Sequence, residues 1–140
     1  MASPALRGAA EGCQGGNYGE TGMNSVKLIA PEQRNFEQIG GGAGDIRIGR
    51  DVAGDISKTF GAGIAVFENC SMEWTVLYDE YFYCLEGTLT IRTKEGTFVM
   101  RPGYGLWLPK GTWLVYEAKE RTKVVFTIYP VDWRERQSQS

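Results

Sequence analysis

Two stretches decide the fold: Glu80-Tyr81-Phe82-Tyr83-Cys84-Leu85-Glu86-Gly87 and Gly103-Tyr104-Gly105-Leu106-Trp107-Leu108-Pro109-Lys110-Gly111. The first is an aromatic-rich strand running into a Glu-Gly turn, where a tight hairpin needs the positive φ that glycine supplies. The second ends on Pro-X-Gly, which turns the chain sharply. Successive strand residues face opposite sides, so Glu80, Phe82 and Cys84 share one face.

Working outward, residues 45–49, 64–67, 72–77, 88–93, 97–100, 113–117 and 123–129 are also rich in β-branched and aromatic residues. Glu86-Gly87, Lys94-Glu95-Gly96, Arg101-Pro102-Gly103 and Pro109-Lys110-Gly111 punctuate them. No helix of three turns is expected. Short strands at near-regular spacing predict an all-β sandwich or barrel. Residues 26–29 are a short apolar run that Pro31 ends, and Pro31-Glu32-Gln33 opens one helical turn with Phe36 and Ile39 as its buried contacts.

Fourteen of the nineteen glycines lie in residues 1–63, whereas fourteen of the seventeen aromatics follow residue 63. Residues 1–24 therefore read as a disordered glycine-rich leader, 25–133 as the folded domain and 134–140 as a frayed tail. The whole chain is 140 residues, one domain's worth. Fifteen basic against seventeen acidic residues speak against a nucleic-acid binder. No apolar run approaches the roughly 18 residues of a membrane span, and no secretory signal opens the chain, so a cytoplasmic protein is expected. Three cysteines without a CxxC pair read as free thiols. Histidine is absent, which removes Ser-His-Asp and Cys-His chemistry and every His-ligated metal site.

Both stretches resemble the two motifs of the cupins: Glu, six residues, Gly; then Gly, five residues, Pro, any residue, Gly. The fifteen residues between Gly87 and Gly103 suit the hairpin between the motifs. The resemblance implies a single-domain all-β cupin, a jelly-roll barrel or double-stranded β-helix. The departures matter as much. The cupin metal histidines would fall on Leu114 and on either Trp74 and Val76 or Glu73 and Thr75, and only Glu80 survives as a ligand type. One carboxylate does not make a transition-metal site, so no tightly bound Fe, Mn, Ni or Zn is expected in the barrel.

Met72-Glu73-Trp74-Thr75-Val76-Leu77-Tyr78-Asp79-Glu80, with Pro109-Lys110-Gly111 and Tyr129-Pro130-Val131-Asp132-Trp133, resembles the cupin domain of the EutQ family of ethanolamine-utilisation proteins. That resemblance implies a metal-free homodimer of two-carbon catabolism, associated with a bacterial microcompartment shell. It also implies acetate kinase-type chemistry on a small carboxylate or acyl phosphate, with ATP or ADP and Mg²⁺. A non-catalytic small-molecule-binding cupin or microcompartment accessory protein is the alternative.

Residue by residue, Glu73 and Glu80 are the candidate catalytic carboxylates. Two carboxylates in one cavity would repel and raise one pKa, which suits acid–base work. Thr75, Tyr78, Tyr116 and Lys110 are the candidate substrate contacts. Glu73, Asp79 and Glu80 offer oxygen ligands of the kind Mg²⁺ takes, while Arg92, Arg101 and Lys110 offer positive charge. There is no P-loop. The polar pair Glu73 and Thr75 is expected to point into the barrel; the opposite orientation fills it with Trp74 and leaves Glu80 alone.

Overall fold

A computed structural model describes residues 25–40 and 44–137. The first element of the described residues is one 3-10 turn, Pro31–Gln33, closed by the Gln33 side chain, which accepts from the Ala30 amide at 2.8 Å. Ten strands follow: β1 Phe36–Gln38, β2 Asp45–Val52, β3 Gly61–Glu68, β4 Cys70–Thr75, β5 Asp79–Glu86, β6 Leu89–Thr93, β7 Gly96–Met100, β8 Gly105–Leu108, β9 Trp113–Ala118 and β10 Thr122–Tyr129. A short helix, α1, Trp133–Gln137, ends the described chain. The expected leader at 1–24 and the last three residues lie outside the described residues.

The strands form two antiparallel sheets, ordered β1-β2-β3-β10-β5-β8 and β4-β9-β6-β7. Each turns one face inward. The strict burial alternation of β5, β9 and β10 is the signature of a half-buried strand. Val76, Cys84, Leu89, Ile91, Leu114 and Val124 are fully buried between the sheets. Cys70 and Cys84 are both buried free thiols, held in their neutral form by that burial. Among the described residues no helix is long and apolar enough to cross a membrane.

Two local expectations differ. Phe36, expected as a buried contact of the first helical turn, lies in the edge strand β1, exposed, while Ile39 does reach the core. Residues 134–137, read as frayed, belong to α1; Arg136 Nε donates to Asp132 Oδ1 at 2.8 Å, an i,i+4 pair that suits a first turn.

A polar post ties the two sheets near Gly87. The Thr122 hydroxyl, wholly buried, accepts from the Thr88 amide at 3.2 Å and lies 3.0 Å from Thr88 O and 3.1 Å from Glu120 O. Thr122→Val keeps the shape but strands the Thr88 amide. Urea melts should show a loss of about 1–3 kcal/mol; an unchanged midpoint would mean water reaches the site.

Candidate functional site

One end of the barrel is open as a cavity of about 560 Å³. Alternation explains its lining. Ile46, Ile48 and Arg50 come from one face of β2, Ala65 and Phe67 from β3, Glu80 and Phe82 from β5, and Phe126 and Ile128 from β10. The second sheet contributes Met72 and Trp74 of β4 and Tyr116 of β9, and the segments after β4 and β10 add Tyr78, Trp133 and Arg134.

The floor is aromatic. Phe67, Phe82 and Tyr116 lie with ring centroids 5.3–6.4 Å apart in tilted or edge-on geometry. Against them sits Glu80, 4% exposed, a carboxyl in an apolar wall. Among the described residues its Oε1 has no hydrogen-bond partner. Burial disfavours the charged form and pushes the carboxyl up to about 8, although the Tyr116 hydroxyl beside it pulls the other way. At neutral pH Glu80 is therefore mainly a neutral acid with a proton to give. Burial and the neighbouring Glu80 in turn hold the phenols of Tyr116 and Tyr78 protonated, so both are donors.

At the mouth the Tyr78 ring packs on Trp133, centroids 4.9 Å apart, and the Arg134 guanidinium lies 5.0 Å from the Trp133 ring centre. Arg50, whose Nη1 donates to Glu37 Oε1 at 2.9 Å, borders the opposite side. Both guanidiniums act electrostatically on the Tyr78 hydroxyl, favouring its ionised form against the larger effect of burial. The site is thus graded, with a neutral acid on an apolar floor, phenols along the way and two cations at the rim.

Of the residues expected from sequence, Glu80, Tyr78 and Tyr116 meet in this cavity. Against expectation, Thr75 does not line it, and Glu73 borders it from an exposed position on β4. β4 turns Cys70, Met72 and Trp74 inward and leaves Glu73 and Thr75 exposed. Burying Met and Trp removes more apolar surface from water than burying Glu and Thr would. Glu73 instead accepts from the Trp113 indole Nε1 at 2.9 Å on the rim side. Lys110 is exposed in the β8–β9 turn, its amide donating to Asp79 Oδ1 at 3.0 Å, and it does not line the cavity. Arg92 pairs with Glu117 at 3.1 Å, away from the mouth. Arg50 and Arg134 were missed. Extending the β2 alternation two residues past Ile48 finds Arg50; nothing periodic points to Arg134.

The described residues bring no three-ligand transition-metal set together. Glu73 is exposed and accepts from the Trp113 indole, Asp79 accepts from the Lys110 amide, and burial favours the neutral form of Glu80. Of the positions where the cupin histidines would fall, Val76 and Leu114 are wholly buried, whereas Glu73 and Thr75 are exposed. Among the described residues no cluster of three or more His, Cys, Asp or Glu forms.

Two antiparallel sheets closed on an inward Glu and a rim Pro-X-Gly turn define a cupin. A solved cupin from Shewanella frigidimarina shares the fold, at TM-score 0.60 over 76% of this chain and 92% of that one, with 17% identity. Within the class the chain belongs to the ethanolamine utilisation protein EutQ family, whose pattern it matches over residues 8–135. The crystal structure of a putative ethanolamine utilization protein Q from Salmonella typhimurium is 25% identical, TM-score 0.68, over 76% of this chain and 87% of that one. The Escherichia coli protein named acetate kinase EutQ is 28% identical over 81% of this chain. This chain spans about half of that relative's length, 49%.

Proposed function

We propose that this EutQ-family cupin holds a small organic anion, a carboxylate or an acyl phosphate, in its barrel and offers it the proton of Glu80. The observation that carries the reading is a buried carboxyl on the cavity floor with one oxygen that none of the described residues satisfies. A ligand oxygen fills that role. Arg50 and Arg134 attract the anion to the mouth, and the Tyr78 and Tyr116 hydroxyls orient it. The apolar walls exclude water, which strengthens each of these hydrogen bonds. A general acid works best when its pKa lies near the working pH, and that of Glu80 is about 8.

Acetate kinase chemistry is the second reading, favoured by the name of the relatives. Phosphoryl transfer relies on cradling the transferred group and neutralising its charge. Here Arg50 and Arg134 are the cations that line the cavity, and among the described residues no cluster of three carboxylates offers itself to Mg²⁺. A homodimer belongs to the same proposal. The outer faces of β5 and β8 expose Tyr81, Tyr83, Leu85 and Trp107, an apolar patch suited to self-association.

One experiment separates the two readings: acetyl phosphate is titrated into the protein at pH 7, then incubated with ADP and Mg²⁺. Binding is expected, weakened about tenfold by removing both guanidiniums in Arg50→Ala/Arg134→Ala. ATP formation that falls at least ~100-fold in Glu80→Gln would assign kinase chemistry to the barrel. Binding without ATP formation leaves the anion-binding barrel alone. Failure to bind acetyl phosphate or any carboxylate overturns the proposal.

A further inference from the structure

The cavity is far larger than a two-carbon acid. At ~30 Å³ per water-sized atom, about 560 Å³ accommodates on the order of 15–20 non-hydrogen atoms. Its walls are rings: Phe67, Phe82 and Tyr116 at the floor, Phe126 on β10, Trp74 and Trp133 toward the mouth. The charged groups of the lining are few: Glu80 against the aromatic floor, Arg50 and Arg134 at the mouth, and the exposed Glu73, which accepts from the Trp113 indole. Aromatic walls reward a flat apolar body through area and ring–ring geometry. The arginines reward a carboxylate at one end of that body.

We infer that the preferred ligand is a planar aromatic carboxylate of about two fused rings, its rings among Phe67, Phe126 and Trp74, its carboxylate at Arg50 and Arg134, and a ring-borne oxygen, where present, at Glu80. The inference rests on the anion-binding reading above and fixes the class of anion. A two-carbon acid leaves most of the ring surface uncovered.

Calorimetric titration at pH 7 with 2-naphthoate, acetate and the neutral 2-naphthylmethanol tests it. The expected result is 2-naphthoate at least ~100-fold tighter than acetate and at least ~10-fold tighter than the alcohol. Ile48→Trp, on the β2 wall of the cavity, should weaken 2-naphthoate at least tenfold and weaken it far more than acetate. Ala65→Leu, from the neighbouring strand, gives the same check should Ile48→Trp not fold. Acetate as tight as 2-naphthoate overturns the aromatic class while the anion-binding reading stands. The alcohol as tight as 2-naphthoate overturns the role of the arginines, and with it both readings. No binding by any of the three also overturns both.

Discussion

Replacing Glu80 with Gln should remove a loss of stability that the wild-type chain suffers as pH rises from about 5 to about 8. Glu80 holds its proton up to about 8 in the folded barrel, against the ordinary 4.5 of an exposed glutamate. Between those values the folded chain binds one proton more than the unfolded chain, so raising the pH favours unfolding. Below about 4.5 both states are protonated and the carboxyl is neutral in its effect. Above about 8 the folded barrel must bury a charge, and the full penalty, on the order of 5 kcal/mol, is present. The sign is opposite to that of a salt-bridged carboxylate, which stabilises at high pH. Gln cannot ionise. The variant should therefore equal the wild type near pH 5 and exceed it by several kcal/mol at pH 8.5. Urea melts at half-unit intervals of pH would read this directly. Parallel curves for the two proteins would mean that water or a cation solvates Glu80, and the neutral-acid role would fall with them.

The same residue shows what was legible in the sequence. Alternation along 80–85 put Glu80 on the face of Phe82 and Cys84, and all three are buried. The Pro-X-Gly and Glu-Gly turns located the hairpin, because those turns need residues of special backbone freedom whatever surrounds them. The face of β4 was harder. Period two pairs Met72 with Trp74 and Glu73 with Thr75, but it does not say which pair meets the core. That depends on the neighbouring strand, where Met72 pairs in register with the buried Tyr116 of β9 and apolar area decides. Arg134 was beyond reach for another reason. It stands on a five-residue helix whose place over the mouth is set by where β10 ends, and by the Trp133 ring lodged against Tyr78. The chemistry of a site on one barrel end is a long-range property, and local pattern supplies only the strands that carry it.

The glycine of the first motif should prove far less replaceable than those of the second. Gly87 has φ +80°, a left-handed conformation, and an added Cβ would stand 2.5 Å from Arg121 O, 2.6 Å from Thr122 Oγ1 and 2.8 Å from Thr122 Cα. Two of these are backbone atoms and the third belongs to the hydroxyl post that holds the Thr88 amide, so none can swing aside. Gly103 and Gly111 have similar φ, +92° and +95°, yet an added Cβ meets nothing within 4 Å at either. Gly103→Ala and Gly111→Ala should thus each cost the backbone penalty alone, about 1–2 kcal/mol. Gly87→Ala carries that penalty plus a clash that must push β5 away from the start of β10, for a total of about 4 kcal/mol or more. For a domain of this size each kcal/mol is worth roughly 2–8 °C in Tm, so the contrast is measurable by calorimetry of the three variants. Because Thr122 lies beside Gly87 and away from the cavity lining, a folded Gly87→Ala should bind 2-naphthoate as the wild type does. A Gly87→Ala as stable as Gly111→Ala would mean the turn relaxes. The close approach of Gly87 to Arg121 and Thr122 would then not be what requires glycine there.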